Sequence, residues 1–205
     1  MSDDVVAGRV VALRAFPVKS LDAGPLTRAR VSASGVQHDR GWAVVDAAGS
    51  VVTARRAEAL RTVRADVRDD EPTLTLAGSD EAVSGAAADR ALSDLLGQPV
   101  TVQASPGGFN EVAPVHLVSR QAIARGADHD DHGEQCPCSV EEPRANLVLD
   151  LSGSDLETSW VGALLRVGDA VLRVSRSPQH CLGVYADVLR EGDIAKGDQV
   201  VLDRG

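Results

Sequence analysis

Trp42-Ala-Val-Val-Asp-Ala-Ala-Gly-Ser-Val-Val-Thr53 is the stretch that decides the fold class. Two short apolar runs, Trp42 to Val45 and Ser50 to Thr53, flank Asp46-Ala-Ala-Gly49. A glycine at the tip between two β-branched runs is a hairpin signal. Working outward, short runs of the same character recur. Gly8 to Phe16 and Leu26 to Ser32 alternate with period 2, and Thr73 to Leu76 and Val100 to Gln103 follow. Asn146 to Asp150, Leu164 to Val167, Ala170 to Val174 and Gln199 to Leu202 complete the series. In the 170–174 run, Ala170, Leu172 and Val174 fall on one face, with Val171 and Arg173 on the other.

Two helices interrupt this pattern. Ala86 to Leu96 carries apolar residues at helical spacing, with Gly97 placed to end it and Pro99 beyond. A shorter helix starts after Ser119, a natural N-cap for the 120–125 segment. Many short strands with few helices predict a mainly β barrel or sandwich.

Composition narrows the functional class. The chain has 205 residues, enough to bury a core as one domain or two small ones. A net charge of −9 argues against non-specific nucleic-acid binding, which needs clustered Lys and Arg. Five aromatic residues leave no stacking platform for single strands. No apolar run approaches the roughly 18 to 20 residues that span a bilayer, so no membrane association is expected. Met1-Ser-Asp-Asp lacks a secretory n-region. Three cysteines, an odd number, suit a reducing compartment better than a disulfide scaffold. The expected location is cytoplasmic.

The most reactive-looking residue is Cys181, in Arg176-Ser-Pro-Gln-His-Cys-Leu-Gly-Val-Tyr-Ala-Asp-Val188. It stands beside His180 and before a glycine turn, where a thiolate would form and be reached. The alternative is a small buried hydrophobe. Among basic residues only Lys19 and Lys196 are lysines, which draws attention to Phe16-Pro-Val-Lys-Ser20. Pro17 stiffens that segment, and Lys19 with Ser20 offers a charge and a hydroxyl from a strand end. Arg40 follows Asp39, whose simplest role is a hairpin salt bridge to it. Ser119 offers a hydroxyl and nearby N–H groups to an anion, or simply caps its helix. Arg144 and Asn146 precede a strand, and Asn146 carries both a donor and an acceptor. Tyr185 is the single tyrosine, with a core role as its alternative.

The tail from Gly183 to Leu202 resembles the end of the molybdenum-cofactor sulfurase C-terminal, or MOSC, family. The resemblance extends along the chain in order. Phe16-Pro-Val-Lys-Ser20 is similar to the family's aromatic-Pro-Val-Lys-Ser segment. Gly35-Val-Gln-His-Asp-Arg-Gly-Trp42 with Asp46 to Gly49 and Thr53-Ala-Arg55 resembles its hairpin. Leu96 to Val100, Ala113 to Ser119, Arg144-Ala-Asn146, Glu157-x-x-Trp160-x-Gly162 and Gly168-Asp169 continue the match.

The resemblance implies a MOSC-type β-barrel, with residues 1–104 as an N-terminal β-rich half and 105–205 as the MOSC domain. It also implies a bound molybdenum cofactor, a phosphorylated pterin that chelates Mo through a dithiolene. Lys19, Ser20, Arg40, Ser119, Arg144, Asn146 and Tyr185 would be cofactor contacts. Cys181 would be the catalytic residue and Mo ligand. Arginine suits the phosphate through bidentate charge-assisted bonds, and a thiolate suits the metal. In the amidoxime-reducing members, N-hydroxylated small molecules are reduced at the open face of the metal. In the sulfurase branch the cysteine instead carries a persulfide or holds the cofactor.

Several departures stand beside this match. His180 replaces the arginine that often precedes the cysteine, and Ala145 replaces the proline of Arg-Pro-Asn. Only Leu182 separates Cys181 from Gly183, so a substrate-facing loop of the amidoxime reducers is missing. Ferredoxin and desulfurase segments are absent too. Electrons from a flavin or iron–sulfur protein, or sulfur from a donor, would have to come from a partner.

A second constellation is Asp128-His-Asp-Asp-His-Gly-Glu-Gln-Cys-Pro-Cys138. His129, His132, Cys136 and Cys138 are candidate tetrahedral Zn ligands, although their spacing is tighter than the usual Cys-x2-Cys. A solvated acidic loop or a redox-active thiol pair are the competing readings. Three functions follow: a molybdenum-dependent oxidoreductase, a persulfide-carrying or cofactor-handling protein, and a Zn-stabilised binding module.

Overall fold

A computed structural model of the chain describes residues 4–105, 107–109, 113–127, 143–179 and 181–203. The chain forms two compact units. One comprises residues 1–14, 25–37 and 112–205, and the other residues 15–24 and 38–111. The first barrel strand, Val5–Arg14, and the 25–37 segment therefore belong with the C-terminal part.

The larger unit is built on a closed barrel of seven strands. Val5–Arg14 pairs with Leu147–Leu151, which runs parallel to Val115–Ser119. The order continues through Val184–Arg190, Ala170–Arg176, Leu164–Val167 and Gln199–Asp203, which returns to Val5–Arg14. Closure leaves the barrel strands without free edges. The long first strand shifts register between Val6 and Gly8 and again between Val10 and Ala12. Such bulges bend a strand, which helps the sheet to curl round. At Gly8 a Cβ would run into the carbonyl oxygen of Asp150, so the neighbouring strand lies against bare backbone there.

Alternation fills the interior. Ala170, Leu172 and Val174 are buried while Arg173 is exposed, as the sequence predicts. They join Leu13, Leu117, Leu147, Leu149 and Leu165, all fully buried. Each such leucine contributes about 1.5–3 kcal/mol relative to exposure.

Two barrel strands that the alternation rule did not single out are Val115–Ser119 and Val184–Arg190. The first is buried at all its positions and so shows no period-2 pattern. Arg120–Ala127 then forms the short helix predicted after Ser119.

The smaller unit has its own core around Val18, Leu21, Val44, Leu60, Leu74 and Leu92. Trp42–Asp46 pairs with Val100–Ala104, and a four-stranded sheet contains Arg64–Arg68 and Glu71–Thr75. The predicted helix is present as Gly85–Leu96, ending in a left-handed Gly97. Its polar residues tie it to a strand: Val100 N–H donates to Ser93 Oγ (3.0 Å) and Val102 N–H to Asp89 Oδ1 (2.8 Å). The hairpin turn around Asp46 to Gly49 is also present. Ser50 to Thr53, however, contributes only a bridge at Val51 to Val45 rather than a strand. Among the described residues no helix is long and apolar enough to cross a membrane.

Candidate functional site

The larger unit contains Cys181, Tyr185, Asn146 and His116, a histidine inside the Ala113 to Ser119 stretch. Cys181 lies half-buried in the bend that leads into the Val184–Arg190 strand. The next residue but one, Gly183, adopts φ +92°, and a Cβ there would overlap the carbonyl oxygen of Leu117. Glycine is thus what lets the cysteine turn press onto the Val115–Ser119 strand. His116 on that strand is 9% exposed, and its Nε2 lies 2.8 Å from the carbonyl oxygen of Leu182. A carbonyl oxygen only accepts, so the imidazole carries a proton on Nε2.

The His116 ring packs against Tyr185, with centroids 5.0 Å apart. On the other side of the phenol ring stands Arg176, whose guanidinium carbon is 5.7 Å from the ring centroid. The pairing register sets this up, placing Tyr185 between His116 and Arg176 on the neighbouring strands. Sequence reasoning did not select His116 or Arg176 as site residues. The signal for both is this register, which links residues far apart in the chain.

Asn146 is 1% exposed and joins two strands. Its Oδ1 accepts from His116 N–H (3.0 Å), and its Nδ2 donates to the Arg14 carbonyl (3.3 Å). Its backbone N–H also donates to the His116 carbonyl at 2.8 Å. The donor and acceptor expected of Asn146 are therefore both engaged inside the barrel wall. Arg144, just upstream, is half-buried. It occupies the centre of a tight turn closed by Ala145 N–H to the Pro143 carbonyl at 2.7 Å.

Ser119 is fully buried and caps its helix. Its Oγ accepts from Ala122 N–H at 2.9 Å, and its own N–H donates to Glu157 Oε1 at 2.9 Å. This is the capping alternative of the sequence reading, with a carboxylate from a distant segment completing it.

Cys181 is disulfide-bonded. The cysteine count suggested a reducing compartment rather than a disulfide scaffold, and this residue nonetheless carries a disulfide. Cys136, Cys138, His129, His132 and His180 lie outside the described residues. Among the described residues no group of His, Cys, Asp and Glu is arranged to hold a metal ion.

Lys19, Ser20 and Arg40 fall in the smaller unit. Two stretches are laced together around them. Arg40 N–H donates to the Phe16 carbonyl (2.8 Å), Trp42 N–H to Pro17 (3.0 Å) and Lys19 N–H to Trp42 (2.8 Å). Phe16 N–H donates to Asp39 Oδ1 at 2.7 Å, and Asp39 Oδ2 pairs with the Arg40 guanidinium, which also lies over the Phe16 ring. That salt bridge is shielded from water, with side-chain exposures of 2% for Asp39 and 18% for Arg40. Ser20 (φ 74°), His38 (φ 64°) and Arg40 (φ 53°) all adopt left-handed backbone. Such strain in non-glycine residues persists only where surrounding contacts enforce it, and it concentrates at functional sites.

The family model of the MOSC N-terminal β-barrel domain matches residues 7–109, just over half of the chain. The chain belongs to that family. The match takes in Lys19, Ser20 and Arg40 of this MOSC protein, whereas Ser119, Arg144, Asn146, Cys181 and Tyr185 lie beyond it. No curated protein matches the chain. Among solved structures it is similar to the YUAD protein from Bacillus subtilis, at 12% identity and a TM-score of 0.50, with both chains covered in full. At that identity the likeness is one of fold.

Proposed function

We propose that this MOSC protein binds a molybdenum cofactor and reduces N-hydroxylated small molecules, taking electrons from a separate flavin or iron–sulfur protein. The observation that carries the reading is the Cys181 bend. Cys181 is half-buried, His116 holds the Leu182 carbonyl next to it, and Tyr185, four residues on, has the His116 imidazole and the Arg176 guanidinium as neighbours. The donor types fit the group. Sulfur suits the metal, guanidinium suits phosphate, and the Tyr185 hydroxyl suits a pterin edge or a substrate oxygen. Cys181 would hold the metal, and Tyr185, Arg144 and Arg176 would hold polar parts of cofactor or substrate. Lys19, Ser20 and Arg40 carry the same donor types. Ser119 and Asn146 act behind these contacts, fixing a helix start and the His116 strand.

When bound, the cofactor supplies a two-electron redox centre. The overall change is R–NH–OH plus two electrons and two protons giving R–NH2 and water. A disulfide sulfur carries no thiolate charge, so Cys181 must first be reduced before it can act as a ligand. The test uses reduced, cofactor-loaded protein with a reduced viologen dye and an aromatic amidoxime. Amidine formation by the native protein and none by Cys181→Ser is the expected result. Absence of turnover by native protein that carries Mo would overturn the reductase assignment.

The second reading is sulfur transfer through a Cys181 persulfide. It uses the same half-buried residue: reduced Cys181, as a thiolate, would take the outer sulfur of a donor persulfide, the donor leaving as a thiol. A persulfide on Cys181 in protein free of Mo, found by mass spectrometry, would select it.

A further inference from the structure

We propose that His116 is the positioning residue of the Cys181 sulfur. The inference rests on the reading that this sulfur is the working atom of the site. Two adjacent residues of one buried strand hold the cysteine turn. The His116 imidazole donates to the Leu182 carbonyl at 2.8 Å, and Leu117 offers its carbonyl to the bare face of Gly183. The Leu182 carbonyl belongs to the peptide unit between Leu182 and Gly183, one residue from the Cys181 Cα. A hydrogen bond there fixes the backbone of the turn and with it the direction of the Cys181 Cα–Cβ bond that carries the sulfur.

The donor is itself held by Asn146 and Tyr185. Asn146 Oδ1 accepts from the His116 N–H, and the His116 carbonyl accepts from the Asn146 N–H. Tyr185 packs against the ring at 5.0 Å between centroids, which limits its swing. The line from Arg14 through Asn146 and His116 to Leu182 therefore connects the first barrel strand to the cysteine. His116 works through Leu182 and would not itself touch substrate.

The test reads the geometry directly and needs no cofactor. Native protein, His116→Phe and His116→Gln are reduced, freed of reductant and alkylated with iodoacetamide, and Cys181 modification is followed by peptide mass spectrometry. Phenylalanine keeps the ring packing and removes the donor, while glutamine restores an N–H donor. Loss of one hydrogen bond is expected to speed Cys181 alkylation about tenfold in His116→Phe, with His116→Gln returning to near the native rate. A native rate in His116→Phe, or a glutamine variant as fast as the phenylalanine one, would overturn the proposal.

Imidazole 15N shifts of the native protein guard against a variant that fails to fold. They should show the proton on Nε2, and a ring protonated only on Nδ1 would equally overturn the assignment. If native protein takes up no Mo while these results stand, the cofactor reading fails and the positioning role survives.

Discussion

Gly183 combines two constraints that no other residue type meets: a backbone at φ +92° and a Cβ direction filled by the Leu117 carbonyl. Gly183→Ala should therefore destabilise the protein by about 2 kcal/mol. In a chain of this size that lowers Tm by roughly 4–8 °C. Thermal unfolding followed by circular dichroism reads this. An unchanged Tm would mean that the cysteine turn does not press on the strand. At this scale the sequence indicated which residue types carry chemistry but not where their hydrogen bonds go. Asn146 offers a donor and an acceptor on paper, and the barrel wall takes both. The Asp39–Arg40 pair was foreseen, but adjacency in sequence could not indicate that Phe16 would shield it.

Among the elements, the Arg120–Ala127 helix depends on a carboxylate from a distant short helical turn, Glu157–Trp160. Glu157 is fully buried, with Oε1 on the Ser119 N–H and no hydrogen-bond partner on Oε2 among the described residues. Glu157→Ala would leave a buried N–H unsatisfied and should cost about 1–3 kcal/mol. Glu157→Gln keeps the acceptor and the side-chain volume, so its Tm should stay close to native. Denaturant melts of Glu157→Gln beside Glu157→Met, which fills similar space without an acceptor, distinguish a cap from a merely space-filling residue, since the latter would tolerate both. Ser119 as N-cap and Gly97 as helix terminator were legible because capping is a local rule. Glu157 was not, because its partner is 38 residues away. The same distinction governs the strands. Ala170–Arg176 announced itself by alternation, whereas Val115–Ser119, buried throughout, has no alternation to read.

Taken as a whole, the molecule interleaves its two units along the chain. Val5–Arg14 closes the barrel by pairing with both Leu147–Leu151 and Gln199–Asp203, strands from the far end of the sequence. A mainly β barrel was legible from short runs and turns, and the family pattern pointed to its kind. The interleaving was not, since pairing partners are set by tertiary packing rather than by local pattern. The candidate residues divide accordingly, with Lys19, Ser20 and Arg40 in the smaller unit and Cys181, Tyr185, Arg144, Asn146 and Ser119 in the larger.

The central claim for this MOSC protein is that reduced Cys181 holds a molybdenum cofactor. The direct measurement is the Mo and pterin content of protein purified under reducing conditions from a host that makes the cofactor, beside Cys181→Ser. Near-stoichiometric Mo and pterin in the native protein, with Mo lost from the serine variant, is the expected result. Native protein that is reduced and folded yet carries neither Mo nor pterin would contradict it.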